Sequence, residues 1–320
     1  MSIRVGIVGS GGMGRSHGAR LAAMGVEIVG FCDVILDRAE SAAGAWGGIA
    51  TRSYSELLAA GPEGLLVCVP PDQHGEIELA ACERGIHMFI EKPVTVDMKT
   101  GREIARAVRK SGIATVVGYK YRWDGYVRKA KKVLSERPAG MAVGWFWTGV
   151  PGVPWWRTLA ESGGQMVEQA THIIDLARYL MGDIVEVQSF TSLAGTYDEP
   201  FDIPDSYVVN VRFANGGVGS FTSTCMLRGW GSSGLRTMSP GMTLEIMHPS
   251  TTWIDANGEQ VESGGDDGYQ SELECFIKAV TGDRSDVASD YADALATLAV
   301  TIAAMVSAER GGAPVDPRTL

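Results

Sequence analysis

Gly9-Ser10-Gly11-Gly12-Met13-Gly14 is the stretch on which the fold turns. In a chain with 41 glycines among 320 residues, a G-x-G-x-x-G match is weak evidence alone, and position gives it weight. It follows a short apolar run, residues 3–8, and opens an amphipathic helical pattern over 14–24. In that setting each glycine has a task. Gly9 makes the tight turn out of a strand, Gly11 lets the backbone approach a pyrophosphate, and Gly14 lets the helix pack on the strand. The N–H groups of the first helical turn, beginning around Gly12 and Met13, then face the negative charge.

The next apolar run, 27–32, ends at Asp33, 19 residues beyond Gly14. A carboxylate there is placed to accept hydrogen bonds from both ribose hydroxyls, and it would repel a 2′-phosphate. NAD is therefore the expected cofactor, with NADP possible because Arg38 is near enough to pair with the extra phosphate. Further apolar runs at 65–70, 87–90 and 114–119 alternate with helical patterns at 53–60, 73–84 and 98–110. Continuous apolar runs separated by helices are the mark of buried parallel strands. Residues 1–121 are thus expected to form a Rossmann domain, a doubly wound parallel sheet.

The texture changes in residues 122–320. A basic helical piece at 125–136 leads to a Trp-rich run, 141–150, and a Gly/Pro loop, 151–164. One helix is expected from 166 to 181. Strand-like runs follow at 184–193, 205–213, 217–226 and 242–247, with Asn215-Gly216-Gly217 as a hairpin turn. A helix over 291–310 closes the chain. The reading is an α/β chain whose second, α+β domain has a large, mostly antiparallel open sheet and serves substrate binding and oligomerisation.

Bulk composition sets limits. A hydrophobic fraction of 45% and a charged fraction of 21% suit a globular protein. The net charge of −10 disfavours nucleic acid and anionic membranes as partners. No apolar run is expected to span a bilayer, and the first residues lack the features of an export signal, so a cytoplasmic protein is expected. Cys32, Cys68, Cys82, Cys225 and Cys275 form no C-x-x-C pair; buried reduced thiols are expected, and no metal.

Four spaced motifs occur in order: the glycine loop, Val69-Pro70-Pro71-Asp72-Gln73-His74, Glu91-Lys92-Pro93, and Glu168-Gln169-Ala170-Thr171-His172-Ile173-Ile174-Asp175. Together they resemble the glucose–fructose oxidoreductase / inositol dehydrogenase / rhizopine catabolism (Gfo/Idh/MocA) family over nearly the whole chain. The resemblance implies an NAD(P)-dependent oxidoreductase of sugars, cyclitols and related polyols, associating as a homodimer or homotetramer through the second-domain sheet. It implies that Lys92 contacts nicotinamide and substrate and that His172 is the general acid/base. Ser10, Pro70, Pro71, His74 and Glu91 join the expected nucleotide contacts. Where the family commonly has aspartate, this chain has Glu168.

Read by themselves, these residues support the same chemistry. Lys92 follows the C-terminal end of an expected parallel strand, where such sheets place ligand contacts. Glu168, His172 and Asp175 are spaced four and three apart, so one helix face would carry all three, and a carboxylate beside an imidazole orients it for proton transfer. Glu168 is expected to orient His172 or touch the substrate, and Asp175 to fix the helix or touch the substrate. Trp145 and Trp147 share strand parity and suit sheet or subunit packing. Trp155, Trp156 and Arg157, on the Gly/Pro loop, are expected at the substrate, with Arg122. Tyr121 stands where the family pattern has a second basic residue; Arg228 and Arg236 are further ligand candidates. Two alternatives stay open: a redox-neutral NAD-dependent glycoside-cleaving enzyme, and a non-catalytic dinucleotide-binding sensor.

Overall fold

β1 (Arg4–Val8) lies at the centre of a six-stranded parallel sheet. Its neighbours are β2 (Glu27–Cys32) and β4 (Gly64–Val67), with β3 (Ile49–Thr51) beyond β2, and β5 (His87–Ile90) then β6 (Thr115–Val117) beyond β4. The order β3-β2-β1-β4-β5-β6 reverses direction between β1 and β4, and the glycine loop leaves β1 at that switch point. Val5, Ile7, Leu65, Leu66, Val67, Phe89 and Ile90 are fully buried in this sheet, each worth roughly 1.5–3 kcal/mol. The doubly wound expectation is thus borne out. β3 and the helix Leu36–Trp46 carry no strong sequence signal, since β3 is three residues long and half-exposed behind Gly47-Gly48.

The computed structural model describes residues 3–264 and 267–320, which pack into two compact units. Residues 1–95, 99–120 and 267–294 make the first; 96–98, 121–266 and 295–320 make the second. A single cut after 121 therefore misses a return of the chain. The helix Gly268–Val280 belongs with the nucleotide-type sheet, where fully buried Phe276 meets Phe89 at 6.0 Å, and a Cβ on Gly64 would come within 2.8 Å of the Phe276 ring.

The second unit is built on an eight-stranded sheet. Its strands are β7 (Met141–Trp147), β8 (Ile184–Ser192), β9 (Ser206–Phe213), β10 (Val218–Thr224), β11 (Ser232–Ser239), β12 (Met242–Met247), β13 (Ser250–Asp255) and β14 (Gly258–Ser263). They lie in the order β14-β13-β12-β11-β7-β10-β9-β8, antiparallel except for the β7–β10 pair. β9 shows why the sheet has one covered face: Tyr207, Val209, Val211 and Phe213 point inward, alternating with exposed residues. Gly216 takes positive φ in the expected β9–β10 turn. β11 has no counterpart among the expected strands, and its Arg236, a ligand candidate from the sequence, donates to Glu245 on β12 (2.7 Å), so this arginine serves the sheet. β13 and β14 were likewise not anticipated.

The helix Tyr291–Glu309 corrects the membrane argument. By length and composition alone it could cross a bilayer, with a mean hydropathy of 1.6, yet more than half of it is buried inside the protein. Its Ala- and Leu-rich faces make it a core helix. All five cysteines are free, and all but the half-buried Cys68 are buried.

Candidate active site

The glycine loop is shaped from both sides. Gly9 has φ +89, and a Cβ there would lie 2.3 Å from the Cys68 carbonyl oxygen. A Cβ on Gly14 would lie 1.8 Å from the Gly9 oxygen. Gly11 and Gly12 differ: a Cβ on either meets no protein atom within 4 Å. The packing of the protein does not itself need glycine at these two positions, and the space over them is open. The helix Gly12–Ala23 begins there with no side-chain cap and no acid in its first turn, leaving its N–H groups for an anion. The buried Asp33 carboxylate accepts from the Ser10 N–H (2.8 Å) and the Ile35 N–H (2.9 Å), which ties the loop to the end of β2. Each oxygen keeps acceptor capacity for a ribose hydroxyl. These residues fit NAD. Arg38 stands exposed on the helix Leu36–Trp46.

Beyond β4, Pro70 precedes a single 3-10 turn, Pro71–Gln73. His74, expected at the nucleotide, is buried with its Nδ1 2.5 Å from Oε1 of Glu78, whose Oε2 accepts from the Gly75 N–H. Glu91, also expected there, is turned inward: its Oε1 lies 2.6 Å from His17 Nε2, and its Oε2 accepts from the Lys92 N–H at 3.3 Å. Burial pushes the Glu91 carboxyl up, but the hydrogen bond and charge of His17 outweigh it and hold it below the usual range. Each is paired inside the protein, as a buried carboxylate needs its partner there. Glu91 thereby fixes the backbone from which half-buried Lys92 projects.

The continuous helix expected over 166–181 is two helices, Gly164–Glu168 and Thr171–Met181, joined through Gln169 and Ala170. Glu168 ends the first and His172 is the second residue of the second. Trp156 is fully buried among Ile203 and Cys225, and its indole N–H donates to Glu168 Oε2 at 2.7 Å. Expected at the substrate, it instead holds a carboxylate. Half-buried Trp155 packs against the same cluster, and Arg157 pairs with Glu199. Tyr121 meets His172 edge-on, ring centroids 5.5 Å apart.

Arg122, expected at the substrate, pairs instead with Asp175, whose expected helix-fixing role this is. Both are almost fully buried, and the guanidinium grips the carboxylate in two hydrogen bonds of 2.6 and 2.8 Å. Thr297 donates to the same carboxylate at 2.9 Å. The pair anchors the helix that carries His172, one turn from it. The sequence showed both residue types but not that they would choose each other. Trp145 and Trp147 do share one sheet face, 6.1 Å apart, with their indoles donating to Ser232 and Thr222.

A Rossmann unit with a glycine loop shaped for phosphate, and a second unit carrying a histidine at the start of a well-anchored helix, fit a nucleotide-dependent oxidoreductase. Comparison with known proteins agrees. Residues 3–119 match the GFO/IDH/MocA description "Oxidoreductase family, NAD-binding Rossmann fold", and residues 136–238 match the GFO/IDH/MocA C-terminal domain. The chain belongs to the GFO/IDH/MocA oxidoreductase family and is an NAD-binding enzyme. It is 25% identical to scyllo-inositol 2-dehydrogenase (NAD(+)) of Bacillus subtilis, covering 98% of this chain and 96% of the relative. It is 29% identical to levoglucosan dehydrogenase of Pseudarthrobacter phenanthrenivorans over 70% of this chain and 67% of that protein. A solved levoglucosan dehydrogenase in complex with NADH and levoglucosan superposes with a TM-score of 0.88 at 21% identity, covering 99% of each chain.

Proposed function

We propose that this enzyme reversibly oxidises a secondary hydroxyl of a sugar, cyclitol or related polyol with NAD. The observation that carries the reading is the setting of His172: Tyr121 lies against its imidazole, the Asp175–Arg122 anchor sits one turn on, and Glu168, four residues before it, is held by the Trp156 indole. Bound NAD supplies the hydride acceptor. The loop from Gly9 to Gly14 holds its pyrophosphate and Asp33 its adenosine ribose, where a carboxylate favours NAD over NADP. His172 takes the hydroxyl proton, Glu168 orients it, and Lys92 polarises the reacting oxygen. Relatives named for inositol, levoglucosan and D-glucoside oxidation support the substrate class.

The test is turnover of scyllo-inositol, myo-inositol, levoglucosan and alkyl glucosides with NAD⁺ and then NADP⁺, followed by absorbance of the reduced nicotinamide. His172→Ala is expected to lower kcat roughly 10²–10⁴-fold with NAD affinity nearly intact. Full turnover in that variant would remove His172 from the chemistry. Product release from a glycoside without net NADH would replace the dehydrogenase reading with redox-neutral cleavage.

The second unit's sheet also leaves an apolar outer face, where Met141, Val208 and Val218 are each more than two-fifths exposed beside Trp145 and Trp147. We infer that copies of the chain associate through it as a homodimer or homotetramer, since apolar surface of this extent marks an interface.

A further inference from the structure

His248 stands between β12 and β13 with its side chain 52% exposed, yet two buried polar groups serve it. Tyr126 Oη lies 2.6 Å from His248 Nδ1 and donates to Asp124 Oδ2 at 2.8 Å, and both Tyr126 and Asp124 are 1% exposed. The Tyr126 ring cannot shift freely. A Cβ on Gly264 would meet it at 2.6 Å, and the Thr251 hydroxyl donates to its backbone oxygen at 3.0 Å. Burial, reinforced by Asp124, pushes the phenol far above its ordinary range, so the hydroxyl keeps its proton.

That single proton goes to Asp124. In neutral His248 the ring proton therefore sits on Nδ1 and is donated to the Tyr126 oxygen, which leaves Nε2 as an acceptor. A hairpin histidine that merely faced water would not repay burying a carboxylate and a phenol behind it. The same histidine packs against Tyr121, centroids 5.9 Å apart, and Tyr121 is the ring that meets His172. Two imidazoles thus share one phenol.

We propose that His248 is a second substrate-binding histidine, whose Nε2 accepts a hydrogen bond from a polyol hydroxyl other than the one oxidised, with Asp124 and Tyr126 fixing its ring and tautomer. The proposal rests on the reading of His172 as the acid/base, and makes His248 a determinant of which polyols bind.

Steady-state kinetics with NAD⁺ and either scyllo-inositol or levoglucosan test it, using His248→Ala, Tyr126→Phe and, separately, His172→Ala. His248→Ala is expected to raise KM for the polyol about tenfold while kcat stays within about twofold and NAD affinity is unchanged. Tyr126→Phe should raise KM part of the way, because the ring stays and the relay is cut. A wild-type KM in His248→Ala overturns the proposal, and this exposed position decides the matter even if Tyr126→Phe fails to fold. Loss of turnover in His172→Ala with a normal His248→Ala sinks only the His248 assignment. Full turnover in His172→Ala, or no oxidation of either polyol by the wild type, removes the reading beneath it.

Discussion

A buried indole has one N–H and must spend it, and Trp156 spends it on Glu168. Glu168 carries one methylene more than the aspartate common in the family, and the Trp156 bond restrains one of its oxygens. Trp156→Phe preserves the ring packing and removes only the donor. The expected result is a roughly tenfold fall in kcat and a displaced pH–rate profile, with about 1–3 kcal/mol lost in stability. A lowered Tm with an unmoved pH profile would mean that Trp156 only fills space. Asp33 is the second telling residue. With backbone N–H donors on both oxygens it braces the loop, and it is the residue proposed to accept from the ribose. Asp33→Ala should weaken NAD binding and narrow its margin over NADP, measured as the ratio of the two dissociation constants. An unchanged ratio would place ribose recognition elsewhere.

At the scale of the element, the turn from β1 into the helix Gly12–Ala23 separates two kinds of glycine. Gly14 is required by the protein, since its Cβ would overlap the Gly9 oxygen. At Gly11 a Cβ would meet open space, and the proposed pyrophosphate is what would need the glycine. Gly14→Ala is therefore expected to lower stability by about 1–3 kcal/mol and to impair nucleotide binding with it. Gly11→Ala should keep the wild-type Tm and lose NAD affinity, read by thermal melts beside a binding titration. Equal behaviour of the two variants would contradict the cradle. The helix Thr171–Met181 shows the complementary device. His172, the proposed acid/base, sits in its first turn and the anchor, Asp175 with Arg122 and Thr297, sits one turn later, so His172 is placed by a rigid segment.

For the whole molecule, the open face of the eight-stranded sheet makes the most direct claim. Val208→Glu combined with Met141→Glu puts like charges on neighbouring parts of an apolar surface. Sedimentation should show a shift from oligomer to smaller species, without loss of the inward-facing core. A monomeric wild type would end the interface reading. What the sequence alone determined about this protein is what depends on local order: the glycine loop after an apolar run, Asp33 closing the next strand, the parallel series of strands, and His172 on a helix. Those features are legible because strand and helix periodicity and turn chemistry act over a few residues. Tertiary structure decided the partners. Trp156 chose Glu168, Arg122 chose Asp175, Glu91 turned to His17, and 267–294 returned to the first unit. Each choice is made between groups distant in the chain, where burial requires every charge and donor to find whatever complement the fold brings beside it.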